Sequence, residues 1–377
     1  MYFVEKTKGI NFWKQFDYTI FITVLLISGF GLIVLSSATK TMSAGDSIMM
    51  KQVIGLVLGI TAALIVCTID YSDFKTLGIL YYLFCILLLV AVLFIGTGDK
   101  LGNRNWINLG PINIQPSELT KIAFIIIVSL FLERIKDGNS DLKNILKLVF
   151  YALLPIALVV AEKDFGTTMV FVFIFFVMLF ICGLPYKLIL ILLSICTASL
   201  PLIWQFVLND VRRKRILVFL NPDLEPLGAG MNVIRSKLAI GSGQIFGKGL
   251  YDGLQTQTGG VPVRESDFIF SVIGEELGFI GCMAVVILFF LLLVRSIYVA
   301  RNSRDSFGAF LVVGVSAMFA FHIIENIGMS IGLLPVTGIP LPFISAGSSS
   351  IVTNYLAVGV ILSVSMRRKK AIFNSSE

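Results

Sequence analysis

Gly259-Gly260-Val261-Pro262-Val263-Arg264-Glu265-Ser266-Asp267-Phe268-Ile269-Phe270-Ser271-Val272-Ile273-Gly274-Glu275-Glu276-Leu277-Gly278 closes the only long polar loop of this chain and opens a very apolar helix. Asp267 stands at the join, the last acidic group before the hydrocarbon. At 100° per residue, Gly274, Gly278 and Gly281 fall within about 40° of Asp267. Such a bare face admits a close neighbour, either another helix or a long lipid chain. Glu275 and Glu276 should lie about 12–14 Å deeper, at 1.5 Å per residue. A carboxylate at that depth costs roughly 2.5–3.5 kcal/mol, so each needs a partner or a function.

Working outward, the 377 residues are 56% hydrophobic and only 14% charged, and the mean hydropathy is +0.92. A soluble domain carries about 25% charged residues, so this is a membrane protein. Apolar runs of spanning length occur near 17–38, 47–69, 74–96, 119–134, 145–161, 166–183, 187–208, 268–294, 307–333 and 344–366. The expected fold is all-α and polytopic, with about ten transmembrane helices in one integral domain over 1–377. One long loop, roughly 209–266, separates spans 7 and 8. The first run is about 20 residues long and no small-residue cleavage site follows it, so it is expected to remain as a span.

Lysine and arginine set the orientation. Sixteen of the thirty fall at the termini or in even-numbered loops, and eight more in the long loop, where the rule is weak. That leaves sixteen against six, which puts both termini in the cytoplasm and the long loop outside. The unusual polar motifs then gather on the outer face. They are Gly102-Asn103-Arg104-Asn105-Trp106, Gln115-Pro116-Ser117-Glu118 with Lys121, Glu162-Lys163-Asp164-Phe165-Gly166-Thr167, the long loop, and Leu334 to Ser350.

Asp267 reads either as a helix N-cap or as a general base at the membrane surface, and the two roles are compatible. Arg212-Arg213-Lys214-Arg215 sits on the translocated side, where basic residues are disfavoured, and the guanidinium fork suits pyrophosphate. Residues 229–240 read as a short interfacial helix with Met231, Ile234 and Leu238 on one face and with Arg235 and Lys237. Gly241 to Gly249 lacks the first glycine and the hydroxyl residue of a P-loop; it reads as a tight turn presenting Lys248, so nucleotide binding is not expected. Glu118 and Lys121 share one face as an ion pair or a substrate contact, and Asp164 is a cap or a site residue. His322, Glu325 and Asn326 share a face and read as a buried polar network, with Glu275 or Glu276 as candidate partners. Pro335, Pro340 and Pro342 exclude a regular helix over 334–349. The five cysteines lie in apolar runs with neither metal nor disulfide spacing.

These motifs closely resemble the SEDS family (shape, elongation, division and sporulation), in particular its RodA-like branch. The resemblance rests on Asn221-Pro222 with Pro226-Leu227-Gly228-Ala229-Gly230, Gly241 to Gly249, Asp267-Phe268-Ile269-Phe270 with Gly274-Glu275-Glu276-Leu277-Gly278, and Gly332 to Phe343. It implies a peptidoglycan glycosyltransferase that polymerises lipid II into a β-1,4 glycan strand at the outer face of the bacterial cytoplasmic membrane and releases undecaprenyl pyrophosphate. It places the essential aspartate on Asp267 and implies a class B penicillin-binding protein as partner, with no nucleic acid. Substrate contacts are expected from Arg212, Arg213, Arg215, Arg235, Lys237, Lys248, Glu118, Lys121, Asp164, Ser348 and Ser349, with the bare glycine face guiding the prenyl tail. A divalent cation (Mg2+ or Mn2+) could assist, without an identified ligand set. The chain departs from the family at Val263-Arg264-Glu265-Ser266, where Pro-Glu-x-x-Thr leads into the aspartate; at Lys163, usually proline; and at Ala346-Gly347-Ser348, usually Tyr-Gly-Gly. The rival readings are a lipid II flippase and a non-catalytic division or sporulation scaffold. A flippase would need polar groups near the midplane open to both sides, and a scaffold would tolerate loss of Asp267.

Overall fold

The computed structural model describes residues 12–98, 104–109, 112–138, 141–202, 204–205, 210–220 and 229–368. Gly102, Asn103 and the Asn221-Pro222 and Pro226-Leu227-Gly228 motifs lie outside the described residues, as does the Arg212 side chain. In chain order the helices are α1 (Phe12–Gln15), α2 (Tyr18–Thr39), α3 (Gly45–Thr68), α4 (Phe74–Ile95), α5 (Pro116–Lys136), α6 (Leu142–Ala161), α7 (Phe165–Cys182), α8 (Tyr186–Leu202), α9 (Asp210–Leu220), α10 (Ala229–Gly243), α11 (Leu254–Gln257), α12 (Ile269–Arg301), α13 (Ser306–Ser330) and α14 (Ser348–Met366). Between α4 and α5 the chain forms three short antiparallel strands, β1 (Thr97–Gly98), β2 (Arg104–Leu109) and β3 (Ile112–Ile114), where the sequence reading had no strand.

Every expected span has a helical counterpart. Among the described residues eight helices are long and apolar enough to cross a membrane. The two others differ for distinct reasons. Helix α8 has 17 residues. Helix α5 has 21 but carries Glu118, Lys121, Glu133, Arg134 and Lys136. It tolerates them because it is the central post, packed against α4, α6, α7, α13 and α14 with most side chains buried. Outward-facing leucines, isoleucines and phenylalanines on α2, α3, α4 and α12 leave the bundle a broad apolar exterior.

The expected continuous helix over 268–294 is interrupted. Gly278 adopts φ 65° and ψ −162° inside α12, a region open essentially to glycine alone. The break frees backbone groups on both sides, which cannot be left unbonded in an apolar setting. The turn after α10 fills it: Lys248 N donates to Glu275 O (3.0 Å), Gly249 N to Glu276 O (3.0 Å), Phe279 N to Gln244 O (2.8 Å) and Ile280 N to Ile245 O (3.2 Å). A Cβ on Gly243 would strike the Gly274 and Glu275 carbonyls. The bare glycine face is therefore covered by the chain's own long loop, and the expected prenyl path along it is closed.

The same loop takes up Glu275 and Glu276. Glu275 accepts from Gln255 N, Thr256 N and Thr256 Oγ1 at 2.7–2.8 Å. Glu276 accepts from Ser37 Oγ (2.7 Å), Gln257 Nε2 (3.0 Å) and Tyr251 N (3.2 Å). Glu275 thus meets α11 and Glu276 the last turn of α2; neither joins the His322 network, and both are buried. Arg264 extends the anchorage, donating to Ala38 O and Thr41 Oγ1, each at 2.7 Å.

At the opposite end a buried carboxylate joins three elements. Asp17 caps α2 by accepting from Ile20 N (3.3 Å) and receives Arg295 of α12 (3.0 Å) and Ser365 of α14 (3.1 Å), with Arg368 at 3.8 Å.

Replacing Gly278 with alanine should cost about 1–3 kcal/mol from backbone strain alone. A Cβ there would also press on Gly247 N and Ile245 O. Thermal unfolding in detergent should therefore show a clearly lower midpoint, whereas Gly29→Ala, with open space around its Cβ position, should leave it in place.

Candidate active site

Segment 332–347 has no regular helix, as its three prolines require, and α14 starts at Ser348 rather than 344. Asn326 of α13 holds it, donating through Nδ2 to Ile339 O (2.8 Å) and to Asp267 O (2.9 Å). One amide thus fixes both walls of the site. Ser345 Oγ donates to Ser266 O (2.6 Å), and Ala346 N to Glu265 O (2.8 Å). Gln52 of α3 closes the other side, donating to Ser345 O (3.1 Å) and accepting from Gly347 N (3.0 Å). Sequence reading missed Gln52; its signal was a single carboxamide in the apolar run 47–69.

These elements enclose a polar cavity of about 340 Å³, lined among others by Asp267, Arg215, Asp164, Glu118, Lys121 and His322. The volume lies within the range of small-ligand sites. Asp267 is not the N-cap. Phe268 takes that position and makes no side-chain capping bond. The carboxylate instead accepts from Ser266 Oγ (2.9 Å), and Gly338, at φ 81°, brings backbone against Oδ2 where a Cβ would sit 3.4 Å away. Burial pushes the Asp267 pKa above the usual carboxylate range, while the Ser266 bond and the Arg215 guanidinium pull against it.

Asp164 is a helix cap and also lines the cavity. It caps α7 through Thr167 N (3.0 Å), and its other oxygen accepts from Asn105 and Gln115 (3.1 Å each) and Thr167 Oγ1 (2.9 Å) at the cavity wall. That arrangement ties β2 and the start of α5 to α7. Glu118 and Lys121 form a buried ion pair at 2.7 Å. The Lys121 ammonium also donates to His322 Nε2 (3.2 Å), which leaves the ring hydrogen on Nδ1. Nδ1 and the second Glu118 oxygen are buried without protein partners. The His322–Glu325–Asn326 face divides accordingly. His322 reaches Lys121, Asn326 holds the cavity walls, and Glu325 accepts from Thr337 Oγ1 (2.8 Å).

The other candidates lie elsewhere. Arg213 donates to the Trp204 and Gln205 carbonyls and ties α9 to the segment that follows α8. Arg235 donates to Gly260 O (3.2 Å). Lys248 is exposed beside the α12 break, and Lys237 lines a neighbouring cavity. Ser349 Oγ accepts from Gln115 N (3.3 Å), whereas Ser350, not Ser348 or Ser349, lines the cavity. Among the described residues no three His, Cys, Asp or Glu side chains are grouped to hold a metal. The described side chains do not form a ready cation cage.

A family model described as the FtsW/RodA/SpoVE cell cycle proteins matches residues 17–370. The peptidoglycan glycosyltransferase MrdB of Escherichia coli K12 is 34% identical over 362 residues, covering 95% of this chain and 96% of that protein. The probable peptidoglycan glycosyltransferase FtsW of Trichlorobacter lovleyi is 35% identical over 364 residues, covering 95% of each. Among solved structures, a chain of a peptidoglycan synthase complex that coordinates polymerization and crosslinking superposes with TM-score 0.78 at 28% identity, covering 93% of this chain and 97% of that one. Thermus thermophilus RodA does so with TM-score 0.71 at 26% identity, covering 95% and 99%.

Two residues before Asp164, Glu162 is 2% exposed and both its oxygens lack partners. Burial, then the nearby Asp164 charge, push its pKa up to about 8. Glu162 therefore folds protonated: it subtracts nothing from stability below about pH 4.5 and costs progressively more as pH rises toward 8. Glu162→Gln should remove that slope. It should raise the unfolding midpoint at pH 8–9, by up to roughly 5 kcal/mol in stability, and leave it unchanged at pH 4.

Proposed function

The chain belongs to the FtsW/RodA/SpoVE family of cell cycle proteins, and from that membership we propose that it is a peptidoglycan glycosyltransferase using lipid II. The observation that carries the reading is the convergence of Asp267 and Arg215 with the Glu118–Lys121–His322 cluster on one polar cavity. In this reading Asp267 removes the proton from the 4-hydroxyl of the acceptor sugar as that oxygen attacks the donor anomeric carbon. Inversion at the α-linked pyrophosphate gives the β-1,4 bond. A desolvated base with a raised pKa binds that proton more firmly than a solvated carboxylate would. Arg215 faces the charge that develops on the leaving pyrophosphate. The Lys121 ammonium, fixed by Glu118 and His322, offers its remaining donor capacity to a sugar hydroxyl or phosphate oxygen.

The protein is a multi-pass membrane protein. We place its cavity on the outer side of the bacterial cytoplasmic membrane, on the strength of the lysine and arginine distribution. A class B penicillin-binding protein is the proposed partner, supported by the likeness to a chain of a complex in which polymerization and crosslinking are coordinated. Any divalent cation would be held largely by the pyrophosphate itself. The Val336-Thr337-Gly338-Ile339-Pro340 segment supports the elongation role.

Purified protein given fluorescent lipid II should produce glycan polymer, and Asp267→Asn should lower the rate about 10²–10⁴-fold. The wild-type rate should fall as pH drops through the raised Asp267 pKa, because only the deprotonated carboxylate accepts the proton; the acid limb should lie above about pH 4. Translocation of lipid II without polymer would overturn the enzyme reading in favour of a flippase, and polymer unaffected by Asp267→Asn would remove the base.

A further inference from the structure

The lost glycine path raises the question of where the lipid of a lipid-linked substrate lies. A second cavity, about 380 Å³, opens between α9, α10 and residues 332–336. Its apolar lining includes Val218, Phe219, Val233, Ile234 and Leu334, and its charged lining is Lys214, Arg215 and Lys237. No carboxylate occurs among its described lining residues. Lys237 lies over the Gly332 backbone, where a Cβ would collide with its Cε and Nζ, so a side chain at 332 would displace the cation.

This trough continues into the Asp267 cavity. A small cavity of about 100 Å³ lies between them; it shares Pro335 and Val336 with the trough, and Asp164 and Thr337 with the Asp267 site. Arg215 lines all three. A ligand running through them meets sugar-binding polarity, then a guanidinium, then further cations beside an apolar channel. That order matches a sugar–pyrophosphate–prenyl molecule, and the cations match its only charged part.

Resting on the glycosyltransferase reading, we propose that the α9–α10 trough is the donor-lipid subsite, with Arg215 at its mouth holding the pyrophosphate and the prenyl chain lying against Phe219 and Val233. The donor is the substrate assigned because its bond to pyrophosphate breaks beside Asp267. The acceptor oxygen forms the new bond to the anomeric carbon, its proton passes to Asp267, and the electron pair of the broken C–O bond leaves with the prenyl pyrophosphate. The released lipid therefore already lies in the trough, while the growing strand remains in the Asp267 cavity.

The test compares undecaprenyl-linked with farnesyl-linked lipid II. Val233→Trp fills the trough and should raise KM about ten-fold or more for the long-chain donor, the worth of about two buried methylenes, with little change for the short one. Independently, a benzophenone amino acid at Phe219 should crosslink to undecaprenyl pyrophosphate and be competed by excess undecaprenyl pyrophosphate but not by phosphatidylglycerol. The same probe at Leu87, on the lipid-facing side of α4, should show no such competition. Equal KM changes for both chain lengths in a normally melting Val233→Trp, or equal labelling at 219 and 87, would overturn the subsite. If Val233→Trp does not fold, the crosslink decides alone. Wild-type protein that makes no polymer would sink the enzyme reading, whereas polymer without competed labelling at 219 would sink only the trough.

Discussion

A backbone that leaves its own helix inside an apolar bundle must be bonded by something else. At Gly278 that something is the turn after α10, and the position of the long loop follows from it. The four backbone bonds across the break fix residues 244–249 against α12. Glu275 and Glu276, one turn earlier, then bind 251–257 and the end of α2. The loop is folded inward and fastened along much of its length, and it returns to α12 at the Val263–Ser266 turn that presents Asp267. A long polar insertion would otherwise be a poor support for a reactive carboxylate. Here it is held by groups the membrane cannot solvate.

The cavity balances its charges locally. Asp164 has both oxygens occupied by protein donors. Glu118 neutralises Lys121. Asp267 has one serine bond and the field of Arg215. The most weakly bonded of these carboxylates is therefore the one free to exchange a proton, which is the division of labour the proposed reaction needs. A dianionic pyrophosphate entering beside Arg215 would draw on a guanidinium that otherwise steadies the Asp267 charge. Donor binding would then favour proton uptake by Asp267 at the moment uptake is required.

Much of this was legible in the residues. Span positions followed from hydropathy, and α5 was recovered despite its charges because its apolar stretch, 119–134, remains recognisable between them. The proline triplet forecast the irregular segment before α14, and the polar loops named Asp267, Asp164, Glu118 and Lys121. What failed was spatial. Periodicity treats a glycine as a gap on a continuous helix, and it cannot show that Gly278 ends the hydrogen-bond ladder. A basic residue in a loop carries no direction, so Arg213, Arg235 and Lys248 read like Arg215. His322 looked structural because its partner, Lys121, is 201 residues away in sequence. Arg264, at a departure from the family pattern, reaches back 226 residues to Ala38, and local spacing contains no trace of that.

The Asp17 clamp bears on how such a chain is assembled. Its carboxylate is buried at the start of α2, yet the cations and hydroxyl that satisfy it arrive with Arg295, Ser365 and Arg368. During synthesis α2 is made before these partners: Arg295 reaches the acid once α12 is in place, and Ser365 and Arg368 only with α14. The clamp therefore ties the start of the bundle to helices made much later, and a bundle lacking α14 would leave Asp17 with Arg295 but without Ser365 and Arg368.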